Sequence, residues 1–246
     1  MYICGITGGA GTLGKFLLKN LPFKFIKYKG RVENKKNLSK WILKNKFDLI
    51  LHLAAIVPTN QVKKNFKKAL KVNYGGTKNL VDIINKKKNK PAWLFFASTS
   101  HVYNFKHKKK IDENYDLNPS TKYGITKFKA EKYIKKYLKI KYAIGRIFSY
   151  THFDQSGEFL IPSLFKKIKN KKRVFKNLNH FRDFIHIQDI TSAIKFMWLS
   201  RSQGVFNIGS GKKTHLKKIA KFLNFKINRN YNISFIENKN CTHLIA

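Results

Sequence analysis

The chain has 246 residues, 43% of them hydrophobic and 14% aromatic, which is enough to bury a full core and excludes a disordered chain. Its 52 Lys and Arg against 12 Asp and Glu give a formal net charge of +40, yet only six of the basic residues are Arg, and the lysines run evenly through every segment, as at Lys35-Lys36, Lys63-Lys64 and Lys86-Lys87-Lys88. Even spreading of a point-charge residue reads as solvated helix faces and loops, not as the Arg-rich surface of a specific nucleic-acid reader, and no apolar run is long enough to span a bilayer.

Strands are expected at 2–6, 23–28, 48–54, 92–97, 142–148, 184–187, 204–208 and 233–236. Helices are expected at 11–20, 38–46, 62–88, 122–139, 158–171, 189–200 and 214–224. This alternation implies a parallel sheet with helices on both faces. After Phe148 the strands shorten and a Gly209-Ser210-Gly211 turn appears. The expected organisation is therefore a main unit at 1–150 and a smaller lobe at 151–246 over the sheet's carboxyl edge, with 184–208 returning to the main sheet. Only Cys4 and Cys241 are present, near opposite ends, which argues against a disulfide framework. With no basic leader before the first strand, the expected compartment is the cytoplasm.

The first strand runs into Gly8-Gly9-Ala10-Gly11-Thr12-Leu13-Gly14 and straight into a helix. A turn of this kind lets backbone N–H groups and a helix N-terminus face a pyrophosphate. Two frames fit, Gly9/Gly11/Gly14 as G-x-G-x-x-G and Gly8/Gly11/Gly14 as G-x-x-G-x-x-G. Further on, a tyrosine four residues before a lysine on a helix places both side chains on one face, where the ammonium favours the phenolate. Tyr74/Lys78, Tyr123/Lys127 and Tyr137/Lys141 all have that spacing, about as many as chance gives in so Lys-rich a chain. Context selects Tyr123, which heads a long helix behind the strand ending in Ser98-Thr99-Ser100. A hydroxyl at a strand's carboxyl end can hold the same substrate oxygen that the phenol protonates.

These motifs, in this order, resemble the extended short-chain dehydrogenase/reductase family of sugar-nucleotide epimerases, dehydratases and reductases, over residues 1 to about 224. The glycine turn resembles the family's cofactor turn, and Phe47 to Ala55 its next signature strand. Val72-Asn73-Tyr74-Gly75-Gly76 resembles the helix whose Asn is structural, and Ser98-Thr99-Ser100-His101-Val102-Tyr103 the strand end that supplies a catalytic hydroxyl. Arg146-Ile147-Phe148 resembles the strand reaching the nicotinamide, and Arg182 to Asp189 the segment whose Arg contacts substrate phosphates. The resemblance implies a Rossmann-type α/β fold, a doubly wound parallel sheet with a smaller C-terminal substrate lobe. It implies catalysis by Thr99, Tyr123 and Lys127. NAD or NADP would lie along Gly8, Gly11, Thr12, Leu13, Gly14, Arg31, Val32, Leu53, Ala54, Ala55, Asn73, Tyr123, Lys127 and Phe148. A nucleotide-sugar substrate would lie along Ser100, His101, Ser149 and Arg182, and no metal is implied.

Departures from the family pattern open alternatives. Arg31 stands where an acidic residue is frequent, which leans the cofactor towards NADP. His101 stands where 4,6-dehydratases of the family carry an acidic base, so a dehydratase using His101 is the second enzymatic reading beside a reductase or epimerase. Ser149 replaces a substrate-binding Asn, and the chain stops at Ala246, before a helical end that relatives carry. A non-catalytic cofactor-sensing or RNA-binding protein is the alternative outside enzymes. Phe128, Tyr133, Ile134, Tyr137 and Leu138 give the 122–139 helix more apolar surface than one sheet-facing stripe needs, so a homodimer through the 62–88 and 122–139 helices is expected.

Overall fold

In chain order the elements are β1 (Ile3–Thr7), α1 (Thr12–Asn20), β2 (Lys24–Lys27), α2 (Lys35–Lys44), β3 (Leu49–His52), α3 (Thr59–Lys64), α4 (Phe66–Leu70) and α5 (Gly76–Lys86). They continue with β4 (Trp93–Thr99), α6 (Lys122–Tyr137), β5 (Lys141–Ile147), α7 (Leu160–Lys169), β6 (Val174–Lys176) and β7 (Phe181–Asp183). Last come α8 (Ile187–Leu199), β8 (Gly204–Ile208), β9 (Lys213–His215), α9 (Leu216–Ile227), β10 (Ser234–Ile236) and β11 (His243–Leu244). The structure is a computed structural model and describes residues 1–57, 59–104, 110–228, 231–237 and 241–246.

Six strands form one all-parallel sheet in the order β2-β1-β3-β4-β5-β8. Helices cover both faces, so its inner strands are near-continuous apolar runs; β3 is buried throughout. On one face α1 and α8 pack Leu13, Leu17, Ile190, Ile194 and Trp198 onto Ile6, Leu51 and Phe95. On the other, α2, α5 and α6 pack Leu38, Ile42, Leu80, Ile84 and Ile134 onto Ile50, Leu94 and Phe96. The strand order reverses between β1 and β3, which opens a crevice at their carboxyl ends, the place where open α/β sheets bind ligands. This is the Rossmann-type architecture that the motifs imply. Residues after β5 also form a two-stranded sheet, β10-β6, and a three-stranded one, β11-β7-β9. Here α7 and α9 pair over Leu164, Ile168, Phe175 and Leu216.

Three expectations are corrected. The helix expected over 62–88 is broken: Asn65 Oδ1 accepts the Lys68 N–H at 2.9 Å and caps a new helix, and Lys71–Gly75 is a π-helical turn that carries Asn73 inward. The strand expected at 184–187 lies three residues earlier, as β7. Phe184 makes only an isolated bridge to Ser149, and His186 Nδ1 accepts the Gln188 N–H at 3.2 Å and starts α8. A short apolar run cannot tell strand from helix, and here Ile185 and Ile187 are simply core. The surplus apolar surface expected on α6 is absorbed within the chain. Ile134 is buried, Phe128, Tyr133 and Leu138 pack in the cores, and Tyr137 alone of the five is exposed, at 44%.

A buried polar network fixes α6 to the sheet. Glu131 of α6 receives the Ser98 hydroxyl and pairs with Arg146 at 2.9 Å, both charges fully buried. Arg146 also donates to the Tyr103 hydroxyl at 2.8 Å and the Glu113 carbonyl at 3.0 Å, and Tyr103 donates to Asn207 Oδ1 at 2.7 Å. Ser98, Arg146 and Asn207 are register partners on β4, β5 and β8, so one network crosses three strands. Among the described residues no helix is long and apolar enough to cross a membrane.

Candidate active site

The glycine turn between β1 and α1 resolves the choice of frame. Gly8 has φ of +74°, and a Cβ there would sit 2.5 Å from Ala54 N. A Cβ at Gly14 would meet the Gly8 carbonyl oxygen at 2.4 Å, whereas one at Gly9 would meet nothing nearer than 3.5 Å. Gly8/Gly11/Gly14 is therefore the frame that the backbone demands. Gly11 caps α1 with no side chain in the way and no acidic residue in the first turn, leaving the N–H groups that begin at Thr12 and Leu13 for an anion. Leu53 and Ala54 lie against this turn, with Leu53 N–H bonded to the Thr7 carbonyl at 3.1 Å. After β2, Arg31 is exposed and pairs with Glu33 at 3.4 Å, and Val32 is buried. A turn closed tightly at Gly8 and Gly14, ending on an open helix N-terminus, fits a dinucleotide's pyrophosphate.

At the end of β4 the three hydroxyls diverge. Ser98 is consumed by Glu131, and buried Ser100 opens a short 3-10 turn over Ser100–Val102. Thr99 lies near the Tyr123 phenol, where its hydroxyl acts to lower the phenol's pKa. This proximity exists because α6 starts very close to that turn. Thr121 Oγ1 accepts the Gly124 N–H at 3.0 Å, and a Cβ at Gly124 would lie 2.1 Å from the His101 carbonyl oxygen. One turn on, Lys127 is fully buried with Nζ 4.0 Å from the centre of the Phe96 ring. Burial lowers its pKa to about 7, with Glu131 holding it up in part. Burial also pushes the Tyr123 phenol up, against the lowering expected from Lys127, and the nearby Thr99 hydroxyl opposes this only partly. The other two Tyr/Lys spacings do not form comparable sites. Lys78 bonds Tyr133 and Asp82 at 2.9 and 3.0 Å, not Tyr74.

The remaining candidate residues flank this group. The half-buried His101 ring lies 5.9 Å from that of Tyr123, and burial, helped by the Arg182 charge, lowers it to about 4. Arg182 Nη1 donates to Thr242 Oγ1 at 3.0 Å, and burial lowers its pKa to about 10. Ser149 is tied by backbone bonds to Asp183 and Ile185 beside it. Asn73 clamps the chain after β3, accepting the Ile56 N–H at 2.7 Å and donating to Thr126 Oγ1 at 3.0 Å. The Phe148 ring is buried among Val102, Tyr103, Ile111 and Leu244. Tyr150 was not anticipated. Its phenol is close enough that a phenolate there would disfavour ionisation of Tyr123, and burial pushes it up to about 12. Glu131 was also missed, although a lone acid on a helix of six lysines and four aromatics was a signal. No group of His, Cys, Asp or Glu able to hold a metal exists among the described residues.

Two outcomes follow. Gly9→Ala retains dinucleotide binding, whereas Gly14→Ala abolishes it, as measured by fluorescence titration with NADH and NADPH; equal losses would refute the frame. Lys127 also links stability to pH. Between about 7, its value in the folded chain, and the ordinary lysine value of about 10.4, the unfolded chain binds a proton that the folded chain does not, so stability rises with pH. Urea denaturation at pH 7 and pH 9.5 is expected to show this rise, at most about 1.4 kcal/mol per pH unit, and Lys127→Met is expected to remove it.

Comparison with known proteins bears on the family and the fold. The profile of the NAD dependent epimerase/dehydratase family matches residues 4–209. The ADP-L-glycero-D-manno-heptose-6-epimerase of Brachyspira hyodysenteriae is 28% identical over 255 aligned residues, covering 89% of this chain and 79% of that protein. The structure of RMD from Pseudomonas aeruginosa complexed with NADPH superposes with a TM-score of 0.88 at 19% identity, covering 100% of this chain and 89% of the other. UDP-glucose 4-epimerase from Thermotoga maritima, with UDP-glucose, gives 0.85 at 20% identity, covering 99% and 89%. At such identities the two structures attest the fold. The chain spans 65%, 79% and 83% of the length of three curated relatives. With the profile matching most of the sequence, from β1 to the end of the six-stranded sheet, the chain belongs to the NAD dependent epimerase/dehydratase family.

Proposed function

We propose that the chain is an NAD(P)-dependent enzyme acting on a nucleotide-activated sugar, a reductase or an epimerase, with Tyr123 as its general acid/base. The observation that carries this reading is the buried Tyr123 phenol beside Thr99 at the carboxyl end of β4, with Lys127 one helical turn on. The names of the relatives support the substrate class. Gly8, Gly11, Thr12, Leu13 and Gly14 would hold the pyrophosphate, Arg31 and Val32 the adenosine end, and Leu53, Ala54, Ala55 and Lys127 the dinucleotide's remaining length, with Asn73 fixing the segment behind them. When bound, the dinucleotide supplies or accepts the hydride. Tyr123 gives a proton to the substrate oxygen, or takes it back, and Thr99 holds that oxygen. A phenol whose pKa is raised stays protonated at neutral pH, ready to give the proton. Arg31 supports NADP over NAD, with Glu33 as its counterweight. Ser100, His101, Ser149 and Arg182 would meet the sugar nucleotide.

Tyr123→Phe is expected to bind dinucleotide with unchanged affinity and to lose at least about a hundredfold in turnover, the usual worth of a general acid. A panel of nucleotide sugars and their 4-keto forms, assayed with NADH and NADPH, supplies the substrate. Wild-type turnover by the Phe variant would refute the assignment. Stoichiometric NAD(P)H consumption marks a reductase, and turnover without net absorbance change an epimerase.

A 4,6-dehydratase is favoured by one observation, the neutral imidazole of His101 beside Tyr123. That reading requires solvent deuterium to enter C5 of the product and His101→Ala to abolish the exchange. Product free of deuterium from a turned-over substrate would eliminate it.

A further inference from the structure

His52 closes β3 with both ring nitrogens bonded and its ring entirely buried. Nδ1 lies 2.7 Å from Thr7 Oγ1, and Nε2 lies 2.9 Å from Thr77 Oγ1. The direction of each bond follows from counting protons. The Thr77 hydroxyl has a single proton and donates it to the Asn73 carbonyl at 2.7 Å, so towards His52 it accepts, and Nε2 carries the hydrogen. A neutral imidazole then has a lone pair at Nδ1, which accepts from Thr7. Thr7 Oγ1 in turn accepts the Ala54 N–H at 3.4 Å. Burial, with the nearby Lys127 charge, lowers His52 to about 3, in keeping with a neutral ring.

The same sequence of bonds continues beyond Asn73. Its side-chain amide donates to Thr126 Oγ1 at 3.0 Å, and the Thr126 hydroxyl donates to the Tyr123 carbonyl at 2.7 Å. Every hydroxyl along the way accepts one hydrogen and donates one. Thr7, Thr77, Asn73 and Thr126 are all buried, so no water competes for these bonds. One end of the chain is the seam where Gly8 rests on Ala54; the other is the first turn of α6.

We infer that His52 is a positioning residue that braces the dinucleotide-binding turn through Thr7 and the helix carrying Tyr123 through Thr77, acting as a neutral strut with its hydrogen on Nε2. This rests on the functional reading above only for the word dinucleotide. Its two halves separate by mutation, because an asparagine amide reaches the place of Nδ1 and a glutamine amide that of Nε2. His52→Gln keeps the donor to Thr77 and loses the acceptor for Thr7. It should weaken dinucleotide binding about tenfold, the worth of one buried hydrogen bond, while amide exchange in the first turn of α6 stays as in the wild type. His52→Asn keeps the Thr7 side and loses Thr77. It should leave the Kd for NADH and NADPH unchanged and speed exchange at Thr126 and Lys127, and Thr77→Val should do the same.

A long-range 1H–15N spectrum of the wild type at pH 7 reads the tautomer without any ligand. A hydrogen on Nδ1 would overturn the inference, and so would variants whose Kd and exchange shift together in proportion to their loss of Tm. If the wild type bound neither dinucleotide while the spectrum showed Nε2–H and the exchange data split as stated, the cofactor reading would fail and the strut would stand.

Discussion

The arrangement at the carboxyl edge of the sheet depends on the buried pair between Glu131 and Arg146. Taking two charges out of water costs several kcal/mol each, and their attraction offsets this only when the geometry is good and the remaining donors and acceptors are filled. Both conditions hold. Arg146 Nε and Nη2 meet the two carboxylate oxygens, Nη1 reaches Tyr103 and the Glu113 carbonyl, and Ser98 fills a further position on Glu131. The pair thereby selects one seat for α6 where purely apolar packing of Ala130 and Ile134 would tolerate sliding. Tyr123, Thr126 and Lys127 lie on that same helix, so their positions follow from a contact one to two turns away.

Charge inside the molecule is disposed sparingly. Of the lysines that dominate the sequence, Lys87 and Lys127 alone are buried among the described residues. Lys87 is a cap: its ammonium donates to the carbonyls of Ile42, Leu43 and Asn45 at 2.9, 3.3 and 3.0 Å, where the C-terminus of α2 would otherwise leave them unpaired. Lys127 has Phe96 beneath it and Glu131 one turn away. The even distribution of lysine in the sequence therefore does mean solvated surface, and the two exceptions are each held by specific acceptors or by a ring.

Much of this was legible in the sequence. The six core strands and the helices between them follow from apolar runs with turn residues between, and Thr99 and Tyr123 follow from a hydroxyl cluster at a strand end before a helix start. The choice of glycine frame was not legible, because it depends on how closely Ala54 approaches Gly8, a contact across 46 positions. The break at Asn65 was hidden because Asn tolerates both helix interior and cap, and tertiary packing decides. The register of β7 depended on partners β9 and β11, which are too short to be seen beforehand.

The core joining α1 to α8 has a kinetic meaning. It brings residues 4–25 together with 185–208, so the face of β1 that carries Ile6 finds its cover only after most of the polypeptide exists. During synthesis at roughly 5–20 residues per second, α1 and one face of the nascent sheet wait on the order of ten seconds or more for α8. In that interval an apolar surface and an unpaired edge at β5 are both available to other chains. That exposure ends only when Ile187–Leu199 arrives and covers the face of β1 with Ile190, Ile194 and Trp198.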